Sequence, residues 1–171
     1  MISETIKKAA EKMREPMVAF ARRLIQTPRP SGDEGEVAKV VSREMERLGY
    51  DRVFHDEAGN VVGLIRGRCA GGSVMFNTHL DHVDPGRREL WKYDPYGAAI
   101  ADGYIHGRGA SDVKGAIASQ VYGVALVKAL GLPILGNVLV TAVVQEEMAE
   151  GIGIKYLCDV TLPKRRLSFD L

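Results

Sequence analysis

The sequence predicts a layered α/β domain in which helices pack on both faces of a β-sheet. The first observation is that amphipathic helical segments alternate with short apolar strand segments along the 171 residues. The second is the run 137–145, NVLVTAVVQ, whose β-branched residues are typical of a buried central strand. The third is that chemically reactive polar residues directly follow two strand segments, as they do at the carboxyl ends of strands in open α/β sheets.

The helices are predicted from apolar stripes with helical spacing and from their end signals. Pro16 interrupts the first stripe and is expected to kink or restart that helix, because proline has no backbone N–H to donate. Ser31 and Glu34 have the spacing of a capping box that opens the second helix, and Gly49 stands where that helix should end. The predicted helices cover 1–26, the segment between this capping box and Gly49, 113–130 and 151–158.

The strands are predicted from short apolar or β-branched runs that are bounded by turn residues. Asp102–Gly103 has the composition of a tight hairpin turn within 97–106. The other predicted strands are 52–55, 61–66, 73–78 and 137–145.

Composition excludes several classes of function. The net charge of +1 gives no basic field of the kind that nucleic-acid binding requires. The N-terminal segment is polar, and no apolar run approaches the roughly 20 residues that span a bilayer. Cys69 and Cys158 are isolated, as expected of reduced thiols that bind no metal. The sequence therefore predicts a cytoplasmic globular protein with no nucleic-acid or membrane partner.

Three groups of polar residues have the chemistry of a metal site. His79 and Asp81 follow one predicted strand, Asp112 opens a helix, and Glu146–Glu147 follow the central strand. The carboxylate of Asp81 can accept the ring N–H of His79 that a metal does not use. In a glutamate pair, one carboxylate can bind a metal while the other transfers protons.

Each group also has a simpler interpretation. His79 can be a structural histidine, Asp112 can be a helix cap, and Glu146–Glu147 can be a solvated loop. A phosphate-binding loop at 107–115 is disfavoured, because Lys114 is followed by glycine rather than by serine or threonine. Of the other histidines, we expect His82 in a structural or supporting role, His106 in packing or hydrogen bonding, and His55 at the surface.

Three motifs occur in the order THLDHVDPG, DGYIHGRGASDVKG and VVQEEMAEGIG. With them the chain resembles the N-terminal part of the M20 family of metallopeptidases and deacylases. That family includes acetylornithine deacetylase, succinyl-diaminopimelate desuccinylase and carboxypeptidase G-type enzymes. The stretch WKYDPYGAAIADGYIHGRGASDVKG is most similar to a subgroup of hydrolases linked to selenium metabolism.

The resemblance implies a role for each residue of the three motifs. Two divalent metal ions are implied, zinc above all, with cobalt or manganese as substitutes. A cis peptide bond between Asp112 and Val113 is also implied. His79 is implied to bind one metal, and Asp81 is implied to be the catalytic residue that orients His79. Asp112 is implied to bridge the two metals. Glu147 is implied to bind the other metal, and Glu146 to act as the general base.

The implied reaction is hydrolysis of an amide bond in a small N-acyl amino acid or short peptide by metal-activated water. Members of the family are longer. Residues 1–171 are therefore expected to be the N-terminal portion of a zinc-peptidase-like catalytic domain that is truncated at its C-terminal side. The lid or dimerisation domain and the C-terminal catalytic segment are expected to be absent from these residues. Asp170 is the candidate for a missing acidic ligand, and no histidine follows His106. The full-length protein is expected to form a homodimer.

Two interpretations of this chain stay open. In the first, it is part of a metallohydrolase and is weakly active or inactive by itself. In the second, it is a non-catalytic, metal-poor fragment or interaction module that keeps the fold.

Overall fold

A computed structural model of the chain describes residues 2–69, 72–149 and 151–167. In these residues helices cover both faces of a four-stranded sheet, which confirms the predicted helix–sheet–helix architecture. The helices are α1 (Ile2–Ile25), α2 (Gly35–Arg47), α3 (Gly115–Ala129), α4 (Glu146–Ala149), α5 (Ile152–Tyr156) and α6 (Leu162–Lys164). The strands are β1 (Arg52–His55), β2 (Val61–Ile65), β3 (Val74–His79), β4 (Ala99–Ala101), β5 (Tyr104–His106) and β6 (Val138–Val143).

The main sheet has the strand order β1-β2-β6-β3, so β6 is central, as predicted. β1 and β2 are antiparallel, β2 and β6 are antiparallel, and β3 and β6 are parallel. The parallel register places His79 opposite Val143. The segments that leave β3 and β6 therefore emerge side by side at one edge of the sheet.

Two apolar cores lie on opposite faces of the sheet. All five residues of β2 are buried, because helices cover both faces of that strand. The first core joins α1, α2 and α3 to the sheet and includes Phe20, Leu24, Val37, Val41, Met45, Val61, Ile65, Ile117, Val121, Tyr122 and Val140. The second core joins the C-terminal helices to the other face and consists of Val62, Leu64, Leu139, Val143, Leu157 and Leu162.

Two predictions about the helices differ from the structure in whole or in part. Helix α1 continues through Pro16 without a restart, and the alternative of a kink at Pro16 stays a prediction. Lys12, whose carbonyl loses its helical partner there, is exposed, so water can solvate that carbonyl. Ser31 and Glu34 do not form a capping box: Glu34 is itself the N-cap residue of α2 and makes no side-chain capping bond. Both side chains instead contact residues far away in the sequence.

The other elements differ from prediction mainly at their ends. The hairpin turns at Asp102 and Gly103, both with positive φ, as predicted. The helix predicted over 113–130 begins only at Gly115, because Ala110–Lys114 forms a wider turn in which Asp112 has a non-helical backbone. The last predicted helix is short and continues through Leu157–Thr161 into α6. The short helices α4 and Arg88–Leu90 were not predicted.

Among the described residues, none of the helices combines the length and the apolar character that crossing a membrane needs. Cys69 and Cys158 are both free thiols.

A buried carboxylate ties α2 to both of its helical neighbours. Glu44 is only 4% exposed and accepts hydrogen bonds from the Tyr122 hydroxyl at 2.5 Å, from Arg47 at 2.6 Å and from Arg23 at 2.8 Å. Burial and the bond to Glu44 raise the pKa of Tyr122 from 10.0 to about 12. Because the folded-state pKa lies above the unfolded value, this stabilisation is complete below pH 10 and is lost as the pH rises through 12.

We expect Tyr122→Phe to lower the free energy of unfolding by about 1.5–3 kcal/mol at neutral pH, the usual contribution of a hydrogen bond to a charged group. The difference from wild type should shrink as the pH rises from 10 to 12. Urea unfolding between pH 10 and 12 measures the difference in unfolding free energy. Tyr104→Phe, at a position that is 71% exposed, is the control. A difference that stays constant to pH 12 would contradict the pKa assignment.

Candidate metal centre

The ends of two parallel strands and one helix bring the predicted metal ligands together. His79 is the last residue of β3, Glu147 lies in α4 just past β6, and Asp112 lies in the turn before α3. One ligand atom from each of these three residues lies within 4.8 Å of the others. No second group of this kind occurs in the parts of the chain that the structure describes. Their roles as metal ligands stay predictions.

His79 directs its two ring nitrogens to different partners. Nε2 faces the cluster, at 2.9 Å from Asp112 Oδ1 and 3.9 Å from Glu146 Oε2. Nδ1 lies 3.2 Å from the backbone carbonyl oxygen of Asp81 and 3.4 Å from its Oδ1. Burial disfavours the charged ring, but the hydrogen bonds to Asp81 and Asp112 outweigh it and raise the pKa of His79 to about 9. The ring is therefore held on one side and presented to the cluster on the other.

Asp81 has a wider structural role than the sequence predicted. Its carboxylate is fully buried and accepts hydrogen bonds from the Ser31 hydroxyl at 2.5 Å and from the backbone N–H groups of Glu146 and Glu147 at 3.2 and 3.0 Å. Burial would raise the pKa of Asp81, but these bonds and the one to His79 hold it well below its usual range. Asp81 thus connects the end of β3 to the start of α4.

The turn Ala110–Lys114, which carries Asp112, is held in place by the buried side chain of Lys114. Gly109 enters it with a φ of 77°, and the Asp112–Val113 peptide bond is cis, as the family resemblance implied. The side chain of Asp112 is 75% exposed and free to reach a ligand. Lys114 is fully buried and donates from Nζ to the carbonyl oxygen of Leu80 at 3.2 Å. Burial lowers the pKa of Lys114 to about 8.

The two glutamates of α4 have different surroundings. Glu147 faces Asp112, and burial together with the charge of Asp112 raises the pKa of Glu147. The side chain of Glu146 is 49% exposed. Gln145, which precedes them, has a φ of 53°, so the chain turns sharply between β6 and α4. This turn delivers both carboxylates to the edge of the sheet where His79 lies.

The donor set fits a divalent metal ion. An imidazole nitrogen and carboxylate oxygens are ligands that zinc, cobalt and manganese accept. The carboxylates of Asp112 and Glu147 lie close enough to repel each other, and a cation between them would offset that repulsion.

None of the other three histidines belongs to this cluster. Asp170 lies outside the described residues. His82 is buried, accepts from the backbone N–H of Arg29 at 3.1 Å and contacts the Val83 carbonyl oxygen, which agrees with a supporting role. His106 packs against Tyr93. His55 is exposed, as predicted.

Sequence comparison finds a matching family model and similar proteins. The family model for peptidase family M20/M25/M40 matches residues 75–171. The uncharacterised protein YgeY of Escherichia coli K12 is 38% identical over 143 residues, 84% of this chain and 35% of that protein. Succinyl-diaminopimelate desuccinylase of Methylorubrum extorquens is 34% identical over 109 residues, 61% of this chain and 28% of the enzyme. The chain therefore spans about a third of the length of these relatives.

Solved structures share the fold at low identity. Human carnosine dipeptidase 1 superposes with a TM-score of 0.80 at 20% identity, over 97% of this chain and 38% of the dipeptidase. The YXEP protein of Bacillus subtilis, described as a dinuclear metal-binding peptidase of the M20 family, superposes with a TM-score of 0.69 at 19% identity, over 89% of this chain and 40% of that protein.

Proposed function

This chain belongs to peptidase family M20/M25/M40, and on that premise we propose that it serves metal-dependent hydrolysis of an amide bond in a small N-acyl amino acid or short peptide. The observation that carries the proposal is the convergence of His79, Asp112 and Glu147, with the carboxylate of Glu146 beside them. The imidazole and two carboxylates would hold a metal, and the further, half-exposed carboxylate would be left for proton transfer.

In the proposed site His79 Nε2, Asp112 and Glu147 bind the metal, and Asp81 orients His79. When bound, the metal would supply Lewis acidity, which polarises the substrate carbonyl and makes water more acidic. Glu146 would take a proton from the water that attacks the amide carbon. As the C–N bond breaks, Glu146 would give that proton to the leaving nitrogen, so that a carboxylate and an amine are released.

Zinc is the proposed metal, with cobalt or manganese as substitutes, because nitrogen and carboxylate donors suit all three. Two ions are proposed for the whole protein, and the dinuclear description of the Bacillus subtilis relative supports this. Asp112 would then serve both ions, His79 one of them and Glu147 the other, whereas a single ion would take all three donors. Three protein ligands suffice for one catalytic zinc ion. A second ion would need donors beyond His79, Asp112 and Glu147.

The proposed substrates rest on the relatives. The names of the desuccinylase and of carnosine dipeptidase describe the removal of an acyl group from an amino compound and the cleavage of a dipeptide. Both reactions break an amide bond in a small molecule. A cytoplasmic location and a homodimeric whole protein stay predictions from the sequence.

The test is amine release from a panel of N-acyl amino acids and dipeptides by the chain loaded with Zn²⁺, Co²⁺ or Mn²⁺. We expect slow release that requires the metal and that falls by about 100-fold, or to background, in Glu146→Gln, because general-base catalysis contributes at least that much. Metal content should be unchanged, since Glu146 is not a proposed ligand. Glu36→Gln, at an exposed position on α2, is the control and should hydrolyse like wild type.

Release that persists after chelation, or in Glu146→Gln, would contradict the proposed mechanism. If the wild type releases no amine from any substrate, the chain is inactive by itself, and its metal content separates the two interpretations. Part of a metallohydrolase should bind the metal, whereas a metal-poor interaction module should not.

A further inference from the structure

The turn that joins β6 to α4 is held by carboxylates from two other parts of the chain. Three successive backbone N–H groups, those of Gln145, Glu146 and Glu147, point toward buried acceptors. Gln145 donates to Glu34 Oε1 at 2.9 Å, and the next two donate to Asp81. The backbone of the glutamate pair is therefore fixed at three consecutive points.

Glu34 has no role in the proposed chemistry, although its carboxylate is only 4% exposed. Its Oε1 also accepts the backbone N–H of Gly32 at 2.9 Å. Burying a carboxylate is costly, and the cost is offset only where donors converge on it. Here the donors belong to its own loop and to the residue that precedes the glutamate pair.

The conformation of Gln145 shows why this contact is needed. Its φ of 53° lies in the left-handed region, which is strained for a non-glycine residue and persists only where neighbouring groups enforce it. Removing the acceptor for its N–H would let Gln145 return to an ordinary backbone conformation. Such a change would swing the Glu146 and Glu147 side chains away from His79.

We propose that Glu34 is a positioning residue of the metal centre: through the N–H of Gln145 it sets the direction in which β6 delivers Glu146 and Glu147. Ser31, three residues earlier, acts in parallel by donating to Asp81. The loop before α2 thus supports the site through its hydrogen bonds to Asp81 and Gln145. The inference rests on the proposed function, because it assumes that Glu147 binds the metal.

Helix α2, which Glu34 precedes, offers a matched control. Glu44 is also 4% exposed, but its hydrogen bonds run to Tyr122, Arg47 and Arg23, and none of them belongs to the cluster. Removing either carboxylate destabilises the fold, whereas only Glu34 should affect the metal site. A comparison of the two separates positioning from general stability.

The first measurement is Co²⁺ affinity of the whole chain, by titration of the visible absorption of bound cobalt, at a temperature where circular dichroism shows every variant folded. We expect Glu34→Ala to weaken binding by about 10-fold to 100-fold, as loss of a group that supports a ligand typically does. Glu34→Gln keeps an oxygen that can accept the Gln145 N–H and should recover most of the affinity. Glu44→Ala should bind like wild type.

Unchanged cobalt affinity in folded Glu34→Ala would overturn the proposal, as would an equal loss in Glu44→Ala. Should Glu34→Ala fail to fold, Glu34→Asp keeps the charge but withdraws the oxygen by one methylene group, and the same direction of change is expected.

The second measurement needs no metal. Amide hydrogen exchange of Gln145 should be at least tenfold faster in Glu34→Ala than in wild type, because its N–H loses its acceptor. Exchange of Glu146 and Glu147 should also become faster, because the released turn no longer holds their N–H groups against Asp81. All three rates should be unchanged in Glu44→Ala. Equal exchange in wild type and Glu34→Ala would overturn the positioning role. A wild type that binds no cobalt would instead contradict the proposed function, and the exchange data would still decide whether Glu34 holds the turn.

Discussion

His79→Ala is expected to reduce the metal content of the chain from about one ion to background. His79 supplies the only nitrogen among the three clustered ligands, and its ring is held by Asp81 with Nε2 toward the cluster. Removing it leaves Asp112 and Glu147, two carboxylates that bind zinc weakly by themselves. Elemental analysis after dialysis against a zinc buffer measures the change.

The stoichiometry of the wild type is informative in the same experiment. Three donors can hold one ion firmly, and the described residues contain no second group of this kind. We therefore expect a value closer to one ion than to two.

The control for His79→Ala is His106→Ala. His106 packs on Tyr93 and contacts the Ala101 carbonyl oxygen, so its loss alters the hairpin and not the cluster. Metal retained in His79→Ala, or lost equally in His106→Ala, would show that the cluster is not the binding site.

The elements and the cluster were predictable because their signals are local. The β-branched run of β6 and the turn at Asp102–Gly103 specify their structure within a few residues, and polar residues at strand ends follow from the topology of α/β sheets. The sequence predicted that His79 and the Glu146–Glu147 pair each follow a strand, but that their two strands are neighbours is shown only by the structure.

The support of the cluster was not predictable, because it depends on contacts between distant segments. Ser31 lies 50 residues from Asp81, and Glu34 lies 111 residues from Gln145. The spacing of Ser31 and Glu34 also matches a capping box, and in an isolated helix the two side chains could pair locally in that way. It is the tertiary environment, with its buried backbone donors, that draws both side chains away from the helix end. The burial of Lys114 next to the Asp112 turn had no local signal at all.

Asp81→Ala is expected to lower the free energy of unfolding by about 3–5 kcal/mol, the usual effect of removing one partner from a buried charged network. The Ser31 hydroxyl and the N–H groups of Glu146 and Glu147 would lose their acceptor in a fully buried position. Urea unfolding measures the loss, and metal binding should fall with it, since His79 loses its orienting partner.

The stabilisation that Asp81 provides should decrease as the pH becomes acidic. The pKa of Asp81 is lower in the folded than in the unfolded state, so its stabilisation is complete above its ordinary pKa of 3.8 and is lost as the pH falls toward the folded-state value. The difference between wild type and Asp81→Ala should therefore shrink below pH 3.8. It should also shrink as the pH rises from 6.5 through about 9, because Asp81 stabilises the charged ring of His79 and that ring loses its proton in this range.

Asp56→Ala separates the two effects. Asp56 is 7% exposed and accepts hydrogen bonds from Asn60 and from the Thr161 hydroxyl, on the side of the sheet where the second core lies. It should destabilise the fold by a similar amount and leave metal affinity intact. If Asp56→Ala and Asp81→Ala weaken metal binding equally, the metal centre responds only to overall stability. If Asp81→Ala alone does so, its carboxylate organises the centre by holding His79 on one side and the glutamate backbone on the other.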